Sequence, residues 1–282
     1  MNTSPTTVAF QGVLGAYSHQ ACQEAFPDAK VIACNTFEGV IAAVKNGKAD
    51  IAMLPVENST YGRVADIHSL LPDSGLHIVG EHFVRVHINL MAKKGVKLED
   101  VKSAMSHTVL LGQVRRFLKN HEIAPVAGPD TAGSAQAVAA SDNMEMGALA
   151  SEMAAKIYGL EILAHHIEDN HHNTTRFLVM SPEQNFPQNG SDEFITTFVF
   201  RVRNIPAALY KGMGGFATNG VNMVKLESYM IEGSFTATQF YADVIGHPDD
   251  PALKRALEEL DYFTTHLDIL GVYKADKFRQ TA

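Results

Sequence analysis

The chain has 282 residues, 46% apolar and 19% charged, the composition of an ordinary globular protein long enough for two domains. A formal charge of −8 argues against nucleic acid as a partner, and no run of some eighteen apolar residues marks a membrane span. Cys22 and Cys34 are too few for a disulfide framework and lack metal-site spacing, and the polar start from Met1 to Thr7 is no secretory signal; a cytoplasmic protein with two reduced thiols is expected.

Short apolar runs alternate with helical patterns from the start. Val8 to Phe10 reads as a strand, Gln11 to Tyr17 as a glycine-bearing loop, and Ser18 as the N-cap of a helix reaching Phe26. Val31 to Cys34 is a second strand, followed by a helix with Phe37, Val40, Ile41 and Val44 on one face, stopped by Asn46 and Gly47. Ile51 to Leu54 is a third, buried strand; a loop from Pro55 to Gly62 leads to a helix carrying Val64, Ile67, Leu70 and Leu71. Ile78 to Met91 is a long extended run suited to carry the chain from one lobe to another.

The α/β pattern then repeats. Lys102 to Met105 reads as a strand, and Leu110, Val114, Phe117 and Leu118 as one face of a single helix. Val126 and Ala127 precede a small-residue helix from Thr131 to Ala140, and Gly147 to Ala150 precedes a helix through Tyr158 that Gly159 ends. Strands alternating with helices imply largely parallel layers, and two such lobes with a crossing and a return imply a cleft. Pro182 to Asp192 is the best linker. After it come a strand from Phe194 to Val202, a helix from Pro206 to Thr218, strands from Val221 to Ile231 and Phe235 to Ile245 joined at 232–234, a helix with Asp250 as N-cap and Pro251 at N1, and a strand from Leu267 to Tyr273. That βαββαβ order is the ferredoxin-like unit.

Several stretches carry chemistry. Gly12 and Gly15 lie in a strand-to-helix loop able to bring backbone N–H groups to an anion, but the loop is neither a dinucleotide fingerprint nor a Walker loop, so no nucleotide cofactor is expected. Pro55-Val56-Glu57-Asn58-Ser59 sets a carboxylate, an amide and a hydroxyl at a strand's C-terminal end; a ligand site and a helix entry capped by Asn58 or Ser59 weigh equally there. Ser106-His107 ends another strand, with Gln113 roughly two helical turns on, and Asp130-Thr131 opens a helix as an N-cap. Asn173-Thr174-Thr175-Arg176-Phe177 packs two hydroxyls, an amide, a cation and a ring ahead of an apolar strand. His165, His166, His171 and His172 precede it, with no zinc-motif spacing and with paired histidines pointing to opposite faces of a strand, so no metal is expected. Because the net charge repels anions, an anionic substrate needs local arginine, lysine or helix N-termini.

Taken together and in order, these pieces resemble a prephenate dehydratase with a C-terminal ACT-type regulatory domain. The resemblance is carried by Gly12 through Ser18, by Pro55 through Ser59 with Gly62, by Ser106-His107 with Gln113, by Asp130-Thr131-Ala132, by Tyr158-Gly159-Leu160 and by Asn173 with Thr175-Arg176-Phe177. It implies an α/β catalytic domain over residues 1–188 of bilobed, type II periplasmic-binding-protein-like fold. One lobe spans about 1–86 and 165–188, the other about 87–164, and a ferredoxin-like α+β ACT domain fills 189–282. The implied reaction converts the small molecule prephenate to phenylpyruvate with loss of carbon dioxide and water, without cofactor or metal. Arogenate dehydration and a non-catalytic amino-acid sensor are the alternatives.

The resemblance also implies roles. Thr175 is the essential hydroxyl at the leaving group, Arg176 the partner of a substrate carboxylate, Glu57 a further catalytic group and His107 a rival acid. Ala16, Tyr17, Ser18, Asn58, Ser59, Ser106, Gln113, Thr131, Asn173 and Phe177 line the substrate site. In the ACT-like half, Ala207, Ala208, Leu209, Asn222, Leu226, Glu227 and Ser228 are the expected phenylalanine contacts. The family's Gly-Ala-Leu and Glu-Ser-Arg-Pro signatures here read Ala207-Ala208-Leu209 and Glu227-Ser228-Tyr229-Met230. A homodimer or homotetramer through that domain is expected.

Overall fold

A computed structural model of the chain describes residues 6–230 and 237–280. The backbone divides into two compact units, Met1–Arg63 with Phe83–Phe177 and Val64–His82 with Leu178–Ala282. Residues 64–82, assigned from the sequence to the first lobe, thus pack in the second unit.

The chain begins with β1 (Thr7–Gln11), α1 (Tyr17–Ala25), β2 (Lys30–Cys34), α2 (Phe37–Lys45), β3 (Ile51–Asn58) and β4 (Gly62–Arg63), then α3 (Ala65–Leu70) and β5 (His77–Arg85). β1 pairs in parallel with β2 and β3, setting Val8, Ala9 and Phe10, all fully buried, at the centre of the layer. Two expectations fail here. Ser18 is not the N-cap of α1; Ala16 is, without a side-chain bond, and the first turn is secured by the His19 ring, whose Nδ1 accepts the Gly15 N–H at 3.0 Å. Pro55 to Asn58 is not a loop or helix entry, because β3 runs through it and pairs with β4, Glu57 opposite Arg63. A proline in a strand keeps its carbonyl and gives up only a donor, so the ladder survives it at a suitable position.

β6 (Asn89–Ala92), β7 (Ser103–Ser106), α4 (Thr108–Leu111), α5 (Arg115–Asn120), β8 (Ala124–Ala127), α6 (Thr131–Ala140), β9 (Met146–Ala150), α7 (Glu152–Tyr158) and β10 (Glu161–Ala164) form the second lobe. Its sheet order is β10-β6-β9-β7-β8, with β7 parallel to β8 and β9, and β6 antiparallel to β9 and β10. Asp130 caps α6 through the Gly133 N–H, and Gly159 ends α7 at φ +69°. The single helix expected over Leu110 to Leu118 is two short ones. Val114 leaves helical geometry, and the Gln113 carbonyl accepts the Asp169 N–H at 2.6 Å. The histidines at 165–172 are not on a strand; they lie between β10 and β11 (Thr174–Ser181), with His166 at φ +51°.

In the second unit, β12 (Phe194–Val202), α8 (Ala208–Thr218), β13 (Met223–Met230), β14 (Ala237–Ile245), α9 (Pro251–Phe263) and β15 (Thr264–Lys274) give the βαββαβ order, with strand order β13-β14-β12-β15. Phe198, Phe200, Phe216, Leu253 and Leu260 fill its core. The joint expected at 232–234 and the start of the strand at Phe235 lie outside the described residues. Asp250 holds the N-cap position, but its carboxylate turns back to the His247 N–H and the Asn189 amide instead of capping α9. The chain is thus mixed α/β: a two-lobed unit and a ferredoxin-like one.

Candidate active site

β3 ends where β11 begins, and the two strands are neighbours. The Ser59 N–H donates to the Thr174 carbonyl, the Thr174 N–H to Ser59 Oγ, and that hydroxyl to the His172 carbonyl, each at 2.9 Å. This lock brings Asn58 against residues 173–175. Asn58 Oδ1 accepts the backbone N–H groups of Thr60 and Tyr61 at 2.9 and 3.0 Å. Backbone N–H groups only donate, so they set which way round the amide sits. Asn58 Nδ2 accordingly donates to Asn173 Oδ1 at 2.6 Å and to Thr175 Oγ1 at 3.0 Å. Asn173, with its oxygen so used, donates through Nδ2 to Gln113 Oε1 at 2.5 Å.

The consequence falls on Thr175. Its oxygen accepts from Asn58, which leaves its own proton to be given to something else, and the residue is half-buried rather than sealed. Four side chains from both lobes, Asn58, Asn173, Gln113 and Thr175, form one chain of neutral groups whose direction is set by the backbone at one end.

Arg176 does not share that face. Successive strand residues point to opposite sides. Arg176 is 2% exposed, and its guanidinium donates to Glu57 Oε1 at 2.9 Å, just as Glu57 is the strand neighbour of Asn58. The structure places the Arg176–Glu57 pair across the strands from the Thr175 hydroxyl, not beside it.

The remaining expected residues divide. Tyr17 reaches the crossing at His87: its OH donates to the His87 carbonyl at 2.8 Å, and burial, then the Glu168 charge, hold its phenol far above the ordinary value. Ala16 precedes it at the N-cap, and Ser18 is buried in the first turn of α1. Ser106 is fully buried and donates to the Leu149 carbonyl at 2.8 Å, inside the second lobe. His107 is an exposed N-cap of α4, its Nδ1 accepting the Val109 N–H, and Thr131 is half-buried at the start of α6. Among the described residues no hydrogen bond joins His107, Ser106 or Thr131 to the amide chain. Phe177 is buried and anchors β11.

Ser151 and Tyr158, neither given a role at the site by the sequence, support the glycine loop. Ser151 Oγ donates to the Gly15 carbonyl at 2.6 Å, and the Tyr158 OH to the Leu14 carbonyl at 2.8 Å. The loop thereby lies so close to α7 that a Cβ on Gly15, itself at φ +91°, would stand 2.9 Å from the Ala154 Cα. Only Tyr158, in Tyr158-Gly159-Leu160, left a sequence signal.

In the second unit, Ala207 precedes α8 with φ +62°, Ala208 is buried and Leu209 half-buried. Asn222 lies just ahead of β13, an outermost strand, which exposes Leu226 and Ser228 on one face and turns Glu227 to the other, where Lys225 donates to it at 3.3 Å. Among the described residues no three His, Cys, Asp or Glu side chains converge as metal ligands.

A family model described as prephenate dehydratase matches residues 8–185. The chain is 50% identical over 273 residues to a bifunctional N-acyl-homoserine lactone acylase/prephenate dehydratase of Komagataeibacter europaeus, covering 97% of each. It is 36% identical to arogenate dehydratase/prephenate dehydratase 1 of Arabidopsis thaliana, covering 98% of this chain and 74% of that one. A solved prephenate dehydratase from Arthrobacter aurescens in complex with L-Phe is 30% identical, with a TM-score of 0.87 and 96% and 90% of the two chains covered. The chain belongs to the prephenate dehydratase family.

Proposed function

We propose that the chain dehydrates and decarboxylates prephenate to phenylpyruvate, needing no cofactor, with arogenate as the alternative substrate. The observation that carries this reading is the Thr175 hydroxyl, turned by Asn58 so that its proton is free for a substrate oxygen. The ring hydroxyl leaves badly as hydroxide, so a donor placed on it lowers the barrier while the carboxylate departs and the ring becomes aromatic. Asn58 holds that donor, Asn173 and Gln113 hold Asn58 in turn, and the buried Arg176 is bonded to Glu57; the substrate carboxylates then fall to other donors.

We further propose that residues 1–188 are the catalytic domain and 189–282 an ACT domain that binds phenylalanine through Ala207, Ala208, Leu209, Asn222, Leu226, Glu227 and Ser228 and assembles a dimer or tetramer. The βαββαβ order and the L-Phe complex of a relative support this reading. A second reading, hydrolysis of N-acyl-homoserine lactones, is favoured by the 50% identity to a protein named for both activities.

Purified protein incubated with prephenate, arogenate and an N-acyl-homoserine lactone yields phenylpyruvate, phenylalanine or a free fatty acid respectively, and the products decide. Turnover of neither prephenate nor arogenate refutes the dehydratase reading. Thr175→Val is expected to abolish dehydration with little change in substrate affinity; near-normal turnover rules out the role given to its hydroxyl.

A further inference from the structure

The two crossings between the lobes hold a group that the reading above leaves unused. His87 lies between β5 and β6 on the outgoing crossing, and Glu168 between β10 and β11 on the returning one. Backbone bonds stitch the crossings together, Val86 N–H to the Asn173 carbonyl and Ile167 N–H to the Ile88 carbonyl, both at 2.9 Å. The Glu168 side chain is buried. It accepts the Ile88 N–H at 2.9 Å on one oxygen and His87 Nδ1 at 3.0 Å on the other. Burial pushes the Glu168 carboxyl up, but the Ile88 N–H and the His87 ring outweigh it and hold it below its ordinary value. A carboxylate only accepts, so the hydrogen is on Nδ1 and Nε2 is left at the outer end of a side chain 43% exposed.

Other titratable and charged groups surround this pair. His166 stacks on His87 with centroids 4.0 Å apart and planes 14° from parallel, and His165 meets His166 edge-on. Glu152, paired with Lys156, feels the charges of His165 and His166, Tyr17 feels Glu168, and Arg85 is tied to the His171 carbonyl. The pair also borders the amide chain. The Val86 N–H next to His87 donates to the Asn173 carbonyl, the Asp169 N–H next to Glu168 donates to the Gln113 carbonyl, and the Tyr17 OH donates to the His87 carbonyl.

The site needs such a group. A threonine hydroxyl orients a leaving oxygen but is too weak an acid to supply a proton near neutral pH, and Asn58, Ser59, Gln113 and Asn173 do not titrate there. His107 is an exposed helix cap bonded to none of them, and Glu57 is held by Arg176 across the strands. We infer that His87 is the proton-carrying residue of this cleft and that Glu168 is its positioning residue. The inference rests on the dehydratase reading. As the bond to the departing carboxylate breaks, its electron pair enters the ring. The ring C–O bond breaks with its pair on oxygen. The His87 ring reacts as the doubly protonated imidazolium: that oxygen, held by Thr175, takes the proton from His87 Nε2 and leaves as water, the neutral ring keeps the Nδ1 hydrogen bonded to Glu168, and solvent returns a proton to Nε2.

The test is His87→Gln and Glu168→Gln in the full chain. His87→Gln is expected to lower kcat by ~10²–10⁴ with KM little changed and to remove one limb of the pH–rate profile. Imidazole in the buffer is expected to restore part of the turnover of His87→Ala, and Glu168→Gln to lose about 10–100-fold. Nitrogen-15 NMR of the unsubstituted protein, which needs neither substrate nor variant, is expected to show the neutral His87 ring protonated on Nδ1, and Glu168→Gln to lose that preference. Normal dehydration by His87→Gln, or a ring protonated on Nε2, overturns the inference alone. Failure of the unsubstituted protein to turn over prephenate or arogenate removes the dehydratase reading and this inference with it.

Discussion

Replacing Asn58 by aspartate exchanges one NH2 group for one oxygen at the centre of the amide chain. One carboxylate oxygen still accepts the Thr60 and Tyr61 N–H groups, while the other faces Asn173 Oδ1, 2.6 Å away in the parent, and Thr175 Oγ1, 3.0 Å away. Asn173 then has to turn over to donate, which sets its oxygen against Gln113 Oε1, and Gln113 has to turn in response. With both amides turned these bonds are re-formed, so the loss of stability stays near the net value of one hydrogen bond, about 0.5–1.5 kcal/mol. Thr175 pays differently: its hydroxyl now donates inward to the carboxylate, a charge-assisted bond, and no longer to a substrate oxygen. Losing one oriented donor costs about 10²–10³ in kcat, roughly 2.7–4 kcal/mol. Asn58→Ala removes all four hydrogen bonds and leaves the buried Asn173 oxygen without Asn58, a cost of about 2–5 kcal/mol, yet leaves the Thr175 proton free. Urea unfolding and initial rates on the accepted substrate are therefore expected to rank the variants oppositely, alanine the less stable and aspartate the slower. An aspartate variant at least as fast as the alanine variant would refute the argument that Asn58 directs the Thr175 proton.

Two further outcomes follow from groups away from the amide chain. Arg279 grips Glu81, whose side chain is fully buried, through Nε at 2.6 Å and a second nitrogen at 2.9 Å. Arg279→Ala removes both guanidinium bonds and leaves that carboxylate the Asp276 N–H at 3.0 Å, so urea unfolding is expected to show a loss of about 1.5–3 kcal/mol, with Arg279→Lys intermediate; no measurable change contradicts this. Burial lowers the His19 pKa below its ordinary 6.5, consistent with a neutral ring that accepts the Gly15 N–H. The folded state then binds fewer protons than the unfolded one just below pH 6.5, so this contribution is complete above that pH and is lost as pH falls toward the folded value. The drop in melting temperature between pH 7.5 and 5 is expected to be smaller in His19→Gln; equal drops in both proteins refute it.

Much of this molecule was legible in one dimension because the signals are local. Val8 to Phe10 and Phe194 to Val202 are apolar runs of strand length, Thr131 to Ala140 carries its own Asp130 cap, and Gly159 ends α7 in the conformation a glycine tolerates best. Where the local pattern misleads, another group has claimed the atoms. Ala16, not Ser18, holds the N-cap of α1, and the Gly15 N–H goes to the His19 ring four residues on. Gln113 broke a helix with good periodicity because residues 169 and 173 claim its carbonyl and its amide. Pro55 to Asn58 became strand because β4 returns to pair with it.

The candidate site divides along the same line. The residue types at Asn58, Gln113, Asn173 and Thr175, and their order along the chain, are properties of the sequence, and they sufficed to mark the stretches that carry chemistry. Direction is not such a property. Which way the Asn58 amide faces, that Arg176 lies across the strands from Thr175, and that His87 finds its carboxylate 81 residues away at Glu168 were all decided by tertiary structure. The reason is physical: a hydrogen bond has a sense, and a strand has two faces. Both are set by the partner that arrives from elsewhere in the chain.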